Sequence, residues 1–352
     1  MTSVCRFLLS GPGLIGGQHA RLVAAKPDCE LAAIVAPDVE DNRDFATEHG
    51  VRFFTNISDA FDEEKIDAAI ISSPNAFHYD QVISCISRGI PALVEKPVTD
   101  DIGDAARLVE EVERSGVPVL VGHHRHYSPL LDAALGFLHS ERFGRLVALQ
   151  GAALFYKPEH YFEDGPWRMV EGGGPILINL IHEIGLMRAF GGEIATVQAM
   201  ASDDVRGFEV EDTVSVSLAF QNGALGTFLL SDAAASSKSW EMTSGENPAY
   251  PHFPGDNCYH FAGTNGSLDF PSMQAKFYGA EEDRSWWKTF EESRLELRRS
   301  NPLERQLDHF IDVIRKGAAP RVSVQDGYLN MLVVEAIRRS IRTRAAVDVA
   351  ER

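Results

Sequence analysis

Cysteines and clustered metal ligands are scarce in this sequence. Only four cysteines occur in 352 residues, and they are scattered: Cys5, Cys29, Cys85 and Cys258. There is no CxxC pair and no cysteine cluster with histidines at metal-ligand spacing, so neither a disulfide framework nor a zinc site is indicated. We therefore expect a protein without a bound metal in a reducing compartment, the cytoplasm.

Basic residues are too few to balance the acidic ones. Lys and Arg number 33 against 51 Asp and Glu, which gives a formal net charge of -18. A surface of this charge repels phosphate backbones and anionic lipid headgroups, so nucleic acid and membranes are not expected partners.

Long apolar runs are also missing. No uncharged apolar stretch approaches the roughly 18 residues that a membrane span needs. The run 4–9 is too short for a signal peptide and contains Arg6, so we expect a first β-strand there.

The length and the hydrophobic pattern divide the chain into two domains. Up to about residue 122, short apolar runs alternate with amphipathic stretches, as in a parallel sheet covered by helices on both faces. Strands are predicted near 4–10, 30–36, 51–54, 67–72, 91–95 and 117–122, and helices near 14–26, 41–50, 77–89 and 101–115. The first domain, 1–125, is therefore predicted to be a doubly wound α/β domain.

Beyond this point the hydrophobic period changes. Longer runs with period-2 character predict strands at 146–155, 194–202, 213–220 and 224–231. Helices are predicted near 129–140, 175–190, 302–316 and 324–344. We predict that 126–352 is an α+β domain built on an open, mainly antiparallel sheet. The long loop 232–256 either lines a substrate site or is a surface excursion.

A glycine-rich turn joins the first predicted strand to the first helix. Its sequence, Gly11-Pro12-Gly13-Leu14-Ile15-Gly16, is a GxGxxG pattern in the context typical of dinucleotide binding. The first glycine permits the tight turn, the second lets the backbone approach a pyrophosphate, and the third allows close helix-strand packing. We predict a Rossmann domain with cofactor contacts at Gly11, Gly13, Leu14, Ile15 and Gly16. The alternative is a turn without a ligand.

The end of the second strand bears on the choice of cofactor. An NAD enzyme usually carries an acid there for the ribose, but Ala36 occupies this position and the nearest carboxylate is Asp38. The surrounding residues are acidic, and Arg43 is the only nearby base. We expect Asp38 to contact the ribose and the cofactor to be NAD, with NADP possible.

Two further segments follow predicted strands. Ser73-Pro74-Asn75 leads to His78, and Glu95-Lys96-Pro97 follows the next strand. Open α/β sheets bind ligands at the carboxyl ends of their strands. A lysine in a partly desolvated cleft there can exchange protons with a hydroxyl, because burial moves its pKa towards neutrality.

Together these segments resemble the glucose-fructose oxidoreductase/inositol dehydrogenase/MocA (Gfo/Idh/MocA) family nearly end to end. The resemblance also covers GHHRHYSP at 122–129, WR at 167–168, GGG at 172–174 running to His182, and the pattern from Val322-Ser323 through Asp326-Gly327 to Glu335-Ala336. It implies an NAD(P)-dependent oxidoreductase with an N-terminal Rossmann domain. It also implies a homo-oligomer, a dimer or tetramer, formed through the C-terminal sheet.

The resemblance assigns roles to single residues. It implies that Lys96 assists proton transfer, that Glu95 and Pro97 shape its turn, and that His182 is the second proton-handling residue. Cofactor contacts are expected from Ser73, Pro74, Asn75, His78, Glu95 and Lys96. The alternative for His182 is a satisfied helix histidine.

The sequence departs from the family pattern beside this histidine. Many relatives carry an Asp four residues before it and another three after it, where this chain has Ile178 and Gly185. Asn179, one turn before His182, and Glu183 beside it are candidate substitutes. Because Asn179 cannot act as a base, the usual polyol chemistry is in doubt.

Substrate contacts are predicted as a group that combines aromatic rings for sugar stacking with cations suited to a carboxylate. The group comprises Arg125, Tyr156, Lys157, Trp167, Arg168, Asn179 and His182, with His160 and Trp240 as further candidates. Taken singly, Trp167 could instead be a core residue and Lys157 a solvated charge.

The leading hypothesis is hydride transfer between a nicotinamide and a secondary alcohol or ketone carbon of a sugar, polyol or related hydroxy compound. One alternative is an NAD-dependent glycosidase that acts by transient oxidation. Another is a non-catalytic regulator that binds a dinucleotide or a sugar.

Overall fold

The computed structural model describes residues 4–296 and 298–349. They form two compact units, the first extending to His126 and including Leu303–Met331, and the second comprising Tyr127–Pro302 and the residues from Leu332 onward. The segment Leu303–Met331 thus lies with the first unit, although it was predicted to belong to the C-terminal domain, 126–352.

The first unit contains a six-stranded sheet in which every neighbouring pair is parallel. Its strands are β1 Cys5–Ser10, β2 Cys29–Val35, β3 Arg52–Phe54, β4 Ala68–Ile71, β5 Ala92–Val94 and β6 Val119–Val121. Their order is β3-β2-β1-β4-β5-β6, the order of the Rossmann fold. The predicted doubly wound sheet is confirmed.

Helices connect these strands. They are α1 Leu14–Ala24, α2 Glu40–Glu48, α3 Ile57–Glu63, α4 His78–Ser87 and α5 Ile102–Ser115. α3 was not predicted, because its seven residues are too few to show a helical period. It has a local start signal, since Asn56 Oδ1 accepts a hydrogen bond from Ser58 N at 2.7 Å.

The second unit is built on a nine-stranded sheet with the order β14-β13-β12-β11-β7-β10-β9-β8-β15. Its strands are β7 Leu146–Leu154, β8 Ile194–Ser202, β9 Thr213–Phe220, β10 Leu225–Ser231, β11 Tyr259–Gly263, β12 Gly266–Phe270, β13 Gln274–Phe277, β14 Glu291–Arg294 and β15 Val347–Asp348. All pairs are antiparallel except β7 with β10. The predicted mainly antiparallel sheet is confirmed, although β11 to β15 were not predicted.

The second unit also contains helices. They are α6 Pro129–Leu138, α7 Glu159–Glu163, α8 Ile181–Gly191 and α9 Trp240–Ser244, and a π-helical turn at Ile176–Leu180 runs into α8. Phe190 of α8 packs on the sheet, with ring centroids 4.7 Å from Phe261 and 5.5 Å from Phe270. This aromatic contact fixes α8, which carries His182, on the core side of the sheet.

Two helices follow near the end of the chain, α10 Pro302–Lys316 and α11 Val324–Thr343. In the first unit, Phe310 of α10 packs against Phe7 of β1, and Arg315 pairs with Asp28. Gly327 lets α11 approach Val98, since a Cβ at Gly327 would lie 3.0 Å from the Val98 side chain. Within residues 4–296 and 298–349, no helix has the length and hydrophobicity needed to cross a bilayer.

Candidate functional site

In the glycine loop between β1 and α1, two glycines have no room for a side chain and one has free space beside it. Gly11 has φ +83°, and a Cβ there would lie 2.5 Å from Ser73 N. A Cβ on Gly16 would overlap the Gly11 carbonyl oxygen. A Cβ on Gly13 would meet no heavy atom of the described chain within 4 Å. Gly11 and Gly16 are therefore required by the fold, whereas the space at Gly13 is free for a ligand.

The start of α1 suits an anion. Leu14 and Ile15 begin the helix, and no acidic residue lies in its first turn. The first N–H groups of a helix lack intrahelical partners, and the helix dipole makes this end positive. The open position at Gly13 and this helix end therefore fit a dinucleotide pyrophosphate.

Asp38 lies beyond the end of β2, on the surface. Its carboxylate accepts a hydrogen bond from Arg43 Nε at 2.6 Å, and both side chains are more than half exposed. Arg43 is thus already paired with an acid, so this pair forms no preformed cationic site for a 2′-phosphate.

Lys96 follows β5 in a turn held by its neighbour Glu95. The buried Glu95 carboxylate accepts a hydrogen bond from Lys96 N at 3.3 Å through Oε2, and its Oε1 lies 3.0 Å from His19 Nε2. Gly122 leaves room for this carboxylate, since a Cβ there would lie 2.7 Å from the Glu95 carboxyl carbon. The turn is thus anchored to α1 and to the end of β6.

The charge of Glu95 depends on these neighbours. Burial raises its pKa, but the hydrogen bond and charge of His19 outweigh burial, with help from Lys96 and His124, so the pKa lies below its usual range. Glu95 is therefore an ionised anchor and offers no free carboxylate to the cofactor. His19 was not among the predicted site residues, although a histidine on the apolar face of α1 is a polar group that needs a buried partner.

His78 joins the two segments that follow β4 and β5. Its buried ring nitrogens lie 2.9 Å from the carbonyl oxygens of Pro97 and Ser73. Burial lowers the pKa of His78, although these two carbonyls oppose the shift. Since both nitrogens face the backbone, His78 holds the two segments together, and its contact with the cofactor stays a prediction.

The segment after β4 is also tied to the glycine loop. Ser72 Oγ lies 2.8 Å from the Gly11 carbonyl oxygen, and Ser73 Oγ donates to Gln81 at 2.8 Å. Pro74 and Asn75 begin a short 3-10 turn directly after it. The carboxyl ends of β1, β4 and β5, which are neighbouring strands, therefore bring the glycine loop, Asn75 and Lys96 to one edge of the sheet.

In the second unit, four residues form what we call the buried lysine cluster: Lys157, Asn179, Arg206 and Asp232. Lys157 Nζ donates to Asn179 Oδ1 at 2.8 Å and lies 3.4 Å from Asp232 Oδ2. Arg206 Nε donates to Asp232 Oδ1 at 2.8 Å. Lys157 is 9 % exposed, so its interpretation as a solvated charge is wrong.

Burial lowers the pKa of Lys157 to about 8, even though the charge of Asp232 acts in the opposite direction. The ammonium also faces the rings of Tyr161, at 5.0 Å from the centroid, and Phe155, at 5.6 Å. Sequence reasoning missed Arg206 and Asp232. Asp232 begins the long loop that was suspected to line a site, but an isolated arginine in a turn gave no such indication.

His182 lies in the first turn of α8 and is buried, three residues after Asn179. Glu183 is buried too, and the Tyr259 hydroxyl on β11 donates to its carboxylate. Glu183 is therefore engaged by the sheet and does not replace the acid missing at Ile178. Asn179 remains as the polar residue one turn before His182.

The other predicted substrate contacts differ in their exposure. Tyr156 and Trp167 are each 55 % exposed, so the interpretation of Trp167 as a core residue is wrong. Arg168 stacks on Tyr161, with its guanidinium carbon 3.9 Å from the ring centroid. Arg125 is buried within the 3-10 turn His124–Tyr127.

The two further candidates, Trp240 and His160, differ in burial. Trp240 is 4 % exposed and packs on Phe270 with ring centroids 5.2 Å apart, so it is a core residue and its nomination as a substrate contact is wrong. His160 lies exposed on α7.

Comparison with known proteins supports the same fold. The chain is 24% identical over 327 residues to the 1,5-anhydro-D-fructose reductase of Ensifer adhaerens, covering 91% of each chain. The structure of the WlbA dehydrogenase from Bordetella pertussis in complex with NADH and UDP-GlcNAcA superposes with a TM-score of 0.79 at 22% identity, covering 99% of this chain and 100% of that one. An oxidoreductase from Agrobacterium radiobacter, in complex with NAD+, L-tartaric acid and magnesium, gives a TM-score of 0.81 at 20% identity and 99% coverage of both chains.

Two models of one family match this sequence in succession. The model described as "Oxidoreductase family, NAD-binding Rossmann fold" matches residues 5–123, and the model of the Gfo/Idh/MocA C-terminal domain matches residues 133–269. Together they cover well over half of the chain. The chain therefore belongs to the Gfo/Idh/MocA oxidoreductase family, with an NAD-binding Rossmann domain followed by the C-terminal domain of that family.

Proposed function

We propose that the chain is an NAD-dependent dehydrogenase or reductase that acts on a CH–OH carbon of a sugar, polyol or related hydroxy compound. The observation that carries this proposal is the anchored turn of Lys96 at the same sheet edge as the open Gly13 position. Relatives with a reductase name and with a bound NADH or NAD+ support it.

Gly11, Gly13 and the start of α1 would hold the pyrophosphate, and Pro74 and Asn75 would border the nicotinamide. When bound, the cofactor supplies or accepts the hydride. Lys96 Nζ donates the proton that the substrate oxygen gains on reduction and accepts it on oxidation. His182 is proposed as the second proton-handling group, and Glu95 keeps the Lys96 turn in place through its bonds to Lys96 N and His19.

Purified protein incubated with NAD and a panel of sugars, polyols and hydroxy acids tests this function. We expect at least one class of compound to produce reduced nicotinamide, measured by its absorbance. Dinucleotide binding without turnover of any compound, in either direction, would favour a non-catalytic regulator. Release of an aglycone without net cofactor reduction would favour the glycosidase.

We expect NAD to bind more tightly than NADP. The 2′-phosphate of NADP would meet Asp38, whose paired Arg43 is not free to bind it, and like-charge contact weakens binding. A tenfold difference in Kd corresponds to about 1.4 kcal/mol, and we expect at least that difference between NADH and NADPH. Titration of both, followed by nicotinamide fluorescence, measures it.

The matched variants for this titration are Asp38→Ser and Asp41→Ser. Removal of Asp38 should narrow the difference between the cofactors, whereas removal of Asp41, an exposed acid on α2, should leave it nearly unchanged. Tighter binding of NADPH by the unaltered protein would contradict the proposed preference.

We also propose that a second copy of the chain covers the outer face of the nine-stranded sheet. Met200, Ser215 and Leu229 lie side by side in register across β8, β9 and β10, and Leu225 follows on the same face. Three of the four are apolar and exposed, Met200 by 73 % and Leu225 by 62 %. An exposed apolar row of this kind is typical of a protein interface.

Light scattering at defined concentrations tests this interface. We expect a dimer or tetramer, and we expect Met200→Glu combined with Leu229→Glu to shift it towards the monomer. Val205→Glu, at an exposed position outside the sheet, is the control and should keep the assembly intact. A monomeric unaltered protein would show that the face serves another purpose.

A further inference from the structure

The buried lysine cluster determines which way the Asn179 amide points. A lysine ammonium has only donors, so the amide atom that faces Lys157 at 2.8 Å is the oxygen. The Asn179 NH2 group must therefore point away from Lys157. Asn179 is only half-buried, and no partner for its NH2 group is found in the described chain. The amide thus offers two donors on its accessible side.

The cluster also places positive charge behind this amide. Lys157 and Arg206 share the single carboxylate of Asp232, so the three side chains carry one net positive charge when all are ionised. Asp212, a nearby buried acid, is satisfied by the backbone N–H groups of Val205 and Arg206. Glu241 acts on Lys157 only as a more distant charge.

The Asp232 carboxylate pairs with two cations, Lys157 and Arg206. Its other oxygen is held by Arg206 Nε, and Arg206 Nη2 also donates to the Lys157 carbonyl oxygen at 2.8 Å. Lys157 is thus held at two points: Arg206 binds its carbonyl oxygen, and Asp232 pairs with its ammonium group. Asn179 therefore stands between a fixed cation and the accessible side.

This arrangement reverses the chemistry expected beside His182. The family pattern described above has an aspartate four residues before this histidine, but this chain has Ile178 there and presents the Asn179 donors one residue later. Both a carboxylate and a polyol hydroxyl can accept hydrogen bonds from the Asn179 donors, but only the carboxylate carries negative charge, which strengthens these bonds and is attracted by Lys157. Resting on the dehydrogenase function proposed above, we propose that Asn179, backed by Lys157, binds a substrate carboxylate, so that the substrate is a sugar acid or similar hydroxy acid.

Matched pairs of compounds test this recognition. The pairs are D-glucuronate with D-glucose, D-gluconate with D-glucitol, and L-threonate with L-threitol, and in each pair a carboxylate replaces a hydroxymethyl group. Calorimetric titration into the protein saturated with NADH measures each Kd. We expect at least one acid to bind ten or more times more tightly than its neutral partner. If no acid in the three pairs binds more tightly, the proposal is wrong.

Single-residue variants then show which side chains cause the preference for acids. Asn179→Asp, which keeps the size of the side chain, should abolish or invert the ratio of acid to neutral affinity, and Lys157→Met should lower it at least tenfold. Lys288→Met, at an exposed lysine of the same unit outside the loop 232–256, is the control and should leave the ratio unchanged. A ratio retained in both Asn179→Asp and Lys157→Met would overturn the assignment. Unchanged NADH affinity and melting temperature show that a variant is folded.

The pH gives an independent measurement. Because the pKa of Lys157 is about 8, the cluster loses its excess positive charge as the pH rises through 8, and acid affinity should fall in that range. Lys157→Arg, which stays charged, should keep its acid affinity up to pH 9.5. A pH profile that is the same in both proteins would contradict the role of Lys157. Turnover of no compound, with the acid preference intact, would refute the dehydrogenase function and leave the carboxylate site standing.

Discussion

Replacement of Lys96 by methionine is expected to lower kcat at least 10²-fold while the Kd for NADH stays within a few-fold. Loss of a general acid-base group costs 10²- to 10⁴-fold in rate, roughly 3 to 5 kcal/mol of transition-state stabilisation. Methionine keeps the length of the side chain and leaves the Glu95 bond to the backbone N of residue 96 in place. The effect should therefore fall on the chemical step, which steady-state kinetics and NADH fluorescence titration separate.

Lys65→Met is the matched control, because Lys65 is an exposed lysine of the same unit away from the sheet edge of Lys96. Its kcat should equal that of the unaltered protein. His182→Ala is expected to lower kcat in the same range as Lys96→Met, unless Asn179 or a water relays the proton. Near-normal turnover in both the Lys96 and the His182 variants would disprove the proposed mechanism.

Replacement of Gly13 by valine is expected to weaken dinucleotide binding strongly without unfolding the protein. The new Cβ would meet no heavy atom of the described chain, so the fold is not strained, but the branched side chain would occupy the space through which the pyrophosphate approaches. We expect Kd for NADH to rise about 100-fold, which corresponds to ~2.7 kcal/mol. Calorimetric titration together with a thermal melt measures both parts of the prediction.

Two other glycines serve as comparisons. Gly136→Val, on α6 and likewise without a neighbour within 4 Å of its Cβ, should change neither binding nor melting temperature. Gly16→Ala should lower the melting temperature as well as the affinity, because its Cβ would overlap the Gly11 carbonyl oxygen. A folded Gly13→Val protein with unchanged NADH affinity would remove the basis for the assigned cofactor loop.

The parts of the fold that the sequence predicted are those with local signals. The glycine loop lies between a buried strand and a helix, and β7 to β10 have long period-2 runs. Strands such as Gly266–Phe270 and Gln274–Phe277 have only four or five residues, too few for a period, and they exist because they pair with neighbours. A short stretch of sequence cannot predict which distant strand it will pair with.

The same reason limits the prediction of the site. Gly11 to Gly16 and Lys96 belong to motifs whose chemistry is local, so they could be nominated without a structure. Asp232 and Arg206 are ordinary charged residues in the sequence, and only the fold brings them to Lys157 and takes all three out of water. The Lys157 prediction named the residue but not its environment, because burial of a charge depends on partners distant in the chain.

The first unit is discontinuous along the chain, and this affects how it is made. Phe7 in the central strand β1 receives its partner Phe310 only after the whole nine-stranded sheet, apart from β15, has been synthesised. Arg315 and Gly327 reach Asp28 and Val98 equally late. During synthesis on the ribosome, the apolar side chains of the Rossmann strands that pack on α10 and α11 therefore stay exposed to solvent until these helices are made. Such exposure favours aggregation and chaperone binding. A gene fragment that stops at the end of β6 would encode Rossmann strands that never receive α10 and α11, so this apolar surface would stay exposed.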